Sequence, residues 1–251
     1  MKNHFLLLLS LITLLAACTP SPEQQRNDIS KLEAEYASNA VPELAQQLID
    51  KYSAYTAAHP EDSANNLAYH VKSSRLHFML NQMTEGAERI KAVFEDYGDE
   101  GVAAIKADLQ ETRKTMFNDS TGRIDLPKAA AFINATEAMA NLRPDDPQTP
   151  VLLHQAGETA RSTRDFQKAI AIYDQIYENY PDYEKAPQSL FLKAFTLDND
   201  LKRPDEARKL YEEFLERYPE DDFADDTQFL LENLGKDDEE IIKSFQEKEV
   251  Q

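Results

Sequence analysis

Regular spacing, a one-sided apolar pattern and stops at matching points predict an all-α chain built as an array of helical hairpins. A small residue opens each of five amphipathic stretches, Ala45, Ala87, Ala129, Ala169 and Ala207, at intervals of 42, 42, 40 and 38 residues. Such regularity marks a repeat array. Three residues further on stand Leu48, Ile90, Phe132, Ile172 and Leu210. Seven further on stand Tyr52, Phe94, Thr136, Ile176 and Phe214, so only Thr136 interrupts the apolar face. Positions i, i+3 and i+7 share one side of a helix, which gives each stretch a stripe to bury and a stripe to solvate. The stretches end at Pro60, Gly98, Pro144, Pro181 and Pro219. Proline denies the α region to the residue before it, and the acids after it are placed to cap the next helix.

These residues resemble tetratricopeptide repeats, paired helices with small residues at their crossings, an aromatic on the second helix and a terminal proline. In the unit Val151 to Pro181 the consensus places are taken by Leu153, Gly157, Ala169, Tyr173 and Pro181, with Leu in place of Trp and Ala160 in place of Tyr. The next unit, Ser189 to Pro219, carries Ala194, Ala207, Tyr211, Phe214 and Pro219. The resemblance divides the chain into divergent repeats over 28–147 and better-formed repeats with a cap over 148–251. It implies a right-handed α-solenoid that ends in a capping hairpin, Asp225 to Leu234 followed by Ile241 to Phe245, because a repeat buries its stripe only against a neighbour and the last one needs a polar outer face. Asn118 to Leu126 is the longest interruption, and with Gly101 to Phe117 it forms the expected hinge. The family's usual ligand surface is the exposed face of each first helix. Carried over, it selects His154, Glu158 and Arg161 in one unit and Phe191, Phe195 and Asn199 in the next. Phe191 and Phe195 are also read as packing within their hairpin.

The amino terminus reads as an address. Lys2 precedes a 13-residue apolar run, Phe5 to Ala17, too short for a bilayer-spanning helix of roughly 20 residues. The run closes on Leu15-Ala16-Ala17-Cys18, which resembles the bacterial lipobox and makes Cys18, the chain's one cysteine, the lipidated first residue after removal of 1–17. Residues 18–27, with Pro20 and Pro22 and no apolar periodicity, read as a tether. Thr19 is not the Asp that retains such lipoproteins at the inner membrane. The outer membrane is therefore the expected location, with the repeats on its periplasmic face.

Chemistry has little to stand on. The chain carries 46 Asp and Glu against 27 Lys and Arg, a net charge of −19, which repels phosphate backbones and leaves no basic patch for nucleic acid. With 41% hydrophobic residues a polytopic membrane protein is excluded. Six glycines form neither phosphate-cradling motif, and no cofactor is expected. His70 and His77 share a helix face, but seven residues at about 1.5 Å rise put them roughly 10 Å apart, too far for one metal. His154 and Glu158 form an i, i+4 pair with no nucleophile beside it. Asn118 to Asp125 has the Gly-x-Ile-Asp of a calcium loop, yet with Gly122 at the sixth position the first and twelfth are Phe117 and Lys128, so two carboxylates are missing. A helix-to-helix turn capped by Asp125, with Pro127 in the first turn, explains it better.

The expected function is a lipid-anchored, non-enzymatic scaffold holding a protein partner at the envelope. Lipobox, length and repeats together resemble the BamD-like outer-membrane lipoproteins that assist β-barrel assembly. The same features suit adaptors for peptidoglycan hydrolases or synthases. A glycan-binding outer-membrane lipoprotein is the alternative of another class, disfavoured by the absence of Trp. The acidic excess further predicts an acidic groove that draws a basic partner, with association slowed by salt.

Overall fold

A computed structural model describes residues 20–118, 121–236 and 240. The leader, Cys18 and the closing segment Ile241 to Phe245 lie outside the described residues. The chain divides into two compact units, Met1–Asp108 and Leu109–Gln251. Ten helices and one two-stranded hairpin make up the regular structure among the described residues, an all-α fold in which, within each unit, helices pack on their neighbours in sequence as in an α-solenoid.

In the first unit α1 (Pro22–Ser38) begins inside the stretch read as tether. Ser21 Oγ accepts from the Gln24 N–H at 3.2 Å, Pro22 opens the helix and Glu23 sits in its first turn, three start signals that outweigh a weak apolar pattern. It packs on α2 (Pro42–Ala58), which is followed by α3 (Ser63–Met79) and the start of α4 (Met83–Thr115). Ile29, Ala45, Leu48, Tyr52, Tyr55 and Tyr69 form the core, with the Tyr52 and Tyr69 rings stacked at 4.9 Å. Polar latches hold α1 at its rim. Tyr52 donates its hydroxyl to Glu33 at 2.6 Å, Lys72 donates to the same carboxylate at 2.8 Å, and Arg26 donates to the Tyr55 hydroxyl at 2.7 Å.

The second unit runs from the last turns of α4 through α5 (Leu126–Leu142), α6 (Thr149–Ser162), α7 (Phe166–Asn179), α8 (Ala186–Phe195), a π-helical turn (Thr196–Asp200), α9 (Pro204–Arg217) and α10 (Ala224–Glu232). Between α4 and α5 the expected plain turn is an antiparallel hairpin, β1 (Phe117–Asn118) and β2 (Arg123–Ile124), reversing at Gly122 with φ 64°. Asp125 caps α5 as the sequence predicts, accepting from the Lys128 N–H at 3.1 Å.

The stops work as proline chemistry dictates. His59, Arg143, Tyr180 and Tyr218, each before a proline, leave the helix with φ between −130° and −136° and ψ between 53° and 60°. Gly98 stops the second stretch as the sequence predicts: its φ of 52° and ψ of −129° are non-helical, and α4 is two helical segments that meet at this kink. The acids after the stops mostly do different work from that expected. Asp146 and Asp221 accept from the Gln148 and Phe223 N–H groups at 2.9 Å, closing the turn ahead of the helix, while Gln148 and Phe223 occupy the cap positions. Asp62 stands at the cap of α3, but its carboxylate receives the Tyr55 hydroxyl and Arg26.

Four of the five register alanines are buried at 1% exposure or less. At the second stretch the buried small residue is Gly86, and Ala87 is half-buried. The register is one residue earlier there because the Phe78 ring lies where a side chain at 86 would start: a Cβ on Gly86 would stand 2.8 Å from it. Thr136 does not break the apolar face. It is 1% exposed, and its hydroxyl is buried without a hydrogen-bond partner. Thr136→Val keeps the branched shape and removes an unpaired polar group, so it is expected to stabilise the protein by about 1 kcal/mol in urea unfolding; a loss of stability would mean that the hydroxyl is paired.

Candidate functional site

Two successive hairpins of the second unit, α6/α7 and α8/α9, superimpose in sequence with one irregularity. Leu153, Gly157 and Thr159 recur 37 residues later as Leu190, Ala194 and Thr196, but Asp165, Ala169 and Tyr173 recur 38 later as Arg203, Ala207 and Tyr211. The extra residue is absorbed by the π-helical turn Thr196–Asp200, where Leu201 N–H reaches back five residues to Thr196 O. The hairpin turns show the same offset. Asp165 N–H bonds Ala160 O five residues back, whereas Arg203 N–H bonds Leu197 O six back.

The framework residues sit as the repeat requires. Ala169, Ala194, Ala207, Tyr173 and Tyr211 are fully buried, and Pro181 and Pro219 are exposed just after their helices. Gly157 brings α6 close to α7, since a Cβ there would lie 2.6 Å from the Tyr173 ring.

The six candidate ligand residues do not share one surface. His154 is 2% exposed, with Nδ1 3.8 Å from Glu158 and its ring edge-on to Tyr183 at 6.4 Å. Burial holds its imidazole below the usual range against the pull of Glu158, so it sits neutral in the interior. Phe191, its counterpart 37 residues on, is 7% exposed and packs with Tyr211, Phe214 and Phe223. Both belong to the core because a residue one position past the buried Leu153 or Leu190 still faces the neighbouring hairpin. Phe195 is half-buried, stacked on Phe191 at 6.0 Å and covered by the Arg161 guanidinium at 4.8 Å.

Glu158, Arg161 and Asn199 do come together, on the wall of an open groove of about 720 Å³ whose other liners include Arg164, Tyr173, Asp200 and Lys202. Arg161 Nε donates to Asp200 at 2.7 Å. The groove is not acidic, in contrast to the whole-chain charge: three cations meet two carboxylates, one of them engaged by Arg161. Arg164 and Lys202 escape a reading by helix face because they belong to turns, both at positive φ, 66° and 54°. Asp200 escapes it through the π-helical turn.

Residues 152–183 and 188–221 match the tetratricopeptide repeat family. They coincide with the two hairpins around the groove and give the second unit repeats of a kind that typically binds other proteins. No curated protein matches the chain. Among the described residues, no helix is long and apolar enough to cross a membrane, and no group of three His, Cys, Asp or Glu side chains is placed to hold a metal ion.

Proposed function

We propose that the protein is a lipid-anchored, non-enzymatic scaffold that holds a protein partner at the bacterial envelope, on the periplasmic face of the outer membrane. The observation that carries this reading is the pair of tetratricopeptide repeats enclosing an open groove, in a chain whose residues 15–18 read Leu-Ala-Ala-Cys. The combination of lipobox, length and repeats shared with BamD-like lipoproteins supports a part in outer-membrane protein assembly. Cys18→Ala is the test of the anchor. It is expected to move the protein from the sedimented membrane fraction into the soluble one, because a lipid at Cys18 is the attachment this reading invokes; sedimentation like wild type would sink the anchor. Co-purification from detergent-solubilised envelopes tests the rest: β-barrel assembly components support the proposed role, peptidoglycan hydrolases or synthases would make it a cell-wall adaptor, and recovery of no partner would remove the scaffold.

A further inference from the structure

We propose that the groove over Tyr173 docks a carboxylate-bearing segment of a protein partner, reading Asp or Glu side chains, although the chain as a whole is strongly acidic. This inference rests on the scaffold reading and adds the partner's chemistry to it.

Three observations converge. The first is the state of the cations. Asp200 is engaged by Arg161, whereas Arg164 and Lys202 are exposed and have no carboxylate within 4.0 Å among the described residues. In a chain with 46 acidic side chains against 27 basic ones, two such cations on one groove are a local inversion of the charge pattern. The second is where they stand. Arg164 and Lys202 occupy equivalent positions just past the first helices of successive repeats, in the left-handed backbone region where glycine or asparagine is favoured. The corresponding turn of the first unit uses Asn81, with φ 61°. The second unit therefore accepts backbone strain in two successive turns and gains a cation over the groove each time.

The third observation points into the groove itself. Tyr173 is 0% exposed and lines the groove, and its hydroxyl is buried with no hydrogen-bond partner. Burial pushes that hydroxyl above its ordinary range, with Glu158 and Asp200 adding to the effect and Arg161 opposing it, so the group is a standing donor. A buried donor without an acceptor needs an explanation. A carboxylate entering between Arg164 and Lys202 supplies one, since it accepts from the phenol and pairs with both cations in charge-assisted hydrogen bonds. The π-helical turn has a part in this arrangement: one extra residue rotates the residues after it by about 100° around the helix, and Asn199, Asp200 and Lys202 line the groove on its far side.

The test uses the full-length protein in detergent and the peptide Glu-Leu-Glu-Glu-Leu-Glu, labelled with fluorescein at its amino terminus and amidated so that no terminal carboxylate is present, beside the same peptide with Gln or Lys at each Glu. Fluorescence polarisation is expected to give binding of the Glu peptide at least about tenfold tighter than of either counterpart, weakening as salt rises. In Arg164→Gly/Lys202→Gly the affinity is expected to fall at least about tenfold while the melting temperature rises, since glycine relieves both turns. Tyr173→Phe should weaken binding severalfold without lowering the melting temperature, an outcome that a purely structural hydroxyl does not produce. The proposal is overturned by equal binding of the Glu and Gln peptides, by preference for the Lys peptide, by no binding of the Glu peptide, or by unchanged affinity in the double glycine variant. Envelope co-purification separates this failure from that of the scaffold: a partner retained equally by wild type and the double variant removes the docking site and leaves the scaffold, whereas no partner on the wild type removes the scaffold as well.

Discussion

Phe191→Ala is expected to cost about 3–5 kcal/mol of stability, the range for truncating a buried aromatic, and to do so by opening the α8/α9 hairpin rather than by removing a ligand contact. The ring has Phe223 at 4.8 Å, Phe195 at 6.0 Å, Phe214 at 6.2 Å and Tyr211 at 6.4 Å. It is thus the meeting point of four aromatics contributed by α8, α9 and the turn before α10. Against a total stability of about 5–15 kcal/mol for an ordinary domain, such a loss leaves a partly unfolded population. Phe195→Ala, half-buried beneath Arg161, is expected to cost only about 1–2 kcal/mol. Urea unfolding of the two variants side by side checks the contrast. Equal losses, or a Phe191→Ala protein as stable as wild type, would return Phe191 to the ligand surface and contradict the packing described above.

The helical periodicity was legible because burial in a repeat follows composition closely: a small residue, then apolar residues three and seven on, suffices to locate five second helices. What was not legible depended on partners elsewhere in the chain. Gly86 and Ala87 are both small, and only the Phe78 ring, contributed by the preceding helix, decides which of them is buried. Thr136 looked polar by type, yet its Cβ branch packs where a valine would. Asp146 and Asp221 had equally good backbone donors in the turn and in the helix, and the nearer one prevailed.

The groove was hidden for a different reason. A helix-face argument finds residues on helices, whereas the cations of the groove stand in turns and Asp200 lies in a π-helical turn. One signal did point there. The change from a 37-residue to a 38-residue offset between Thr196 and Arg203 marks an inserted residue, and such insertions in a repeat commonly shape a functional surface. Whole-chain charge pointed the wrong way, since a net of −19 averages over every face of the chain. The local balance of Arg161, Arg164 and Lys202 against Glu158 and Asp200 is the quantity that bears on recognition.

Gly157→Val is expected to destabilise the protein by about 3 kcal/mol, the upper end of the usual range for overpacking. Glycine inside a helix costs about 1 kcal/mol relative to alanine, so its presence in the middle of α6 needs a compensating contact, and the Tyr173 ring provides it. The first added carbon would lie 2.6 Å from Cε1, 3.0 Å from Cδ1 and 3.2 Å from Cζ of that ring, and the two methyls of valine extend further. Tyr173 has no exposed surface toward which to swing, so the helices must part or the ring must shift. Either movement displaces Tyr173, a residue of the groove lining, which makes Gly157 a positioning residue for Tyr173 as well as a packing one. The double variant Gly157→Val/Tyr173→Leu separates the collision from a general intolerance of valine in α6. If the ring is what the valine strikes, the two substitutions should be non-additive, with the double variant at least about 1 kcal/mol more stable than the sum of the single losses predicts. Strict additivity in urea unfolding, or a Gly157→Val protein that unfolds at the wild-type midpoint, would mean that the α6/α7 crossing is looser than a Gly157 to Tyr173 contact allows.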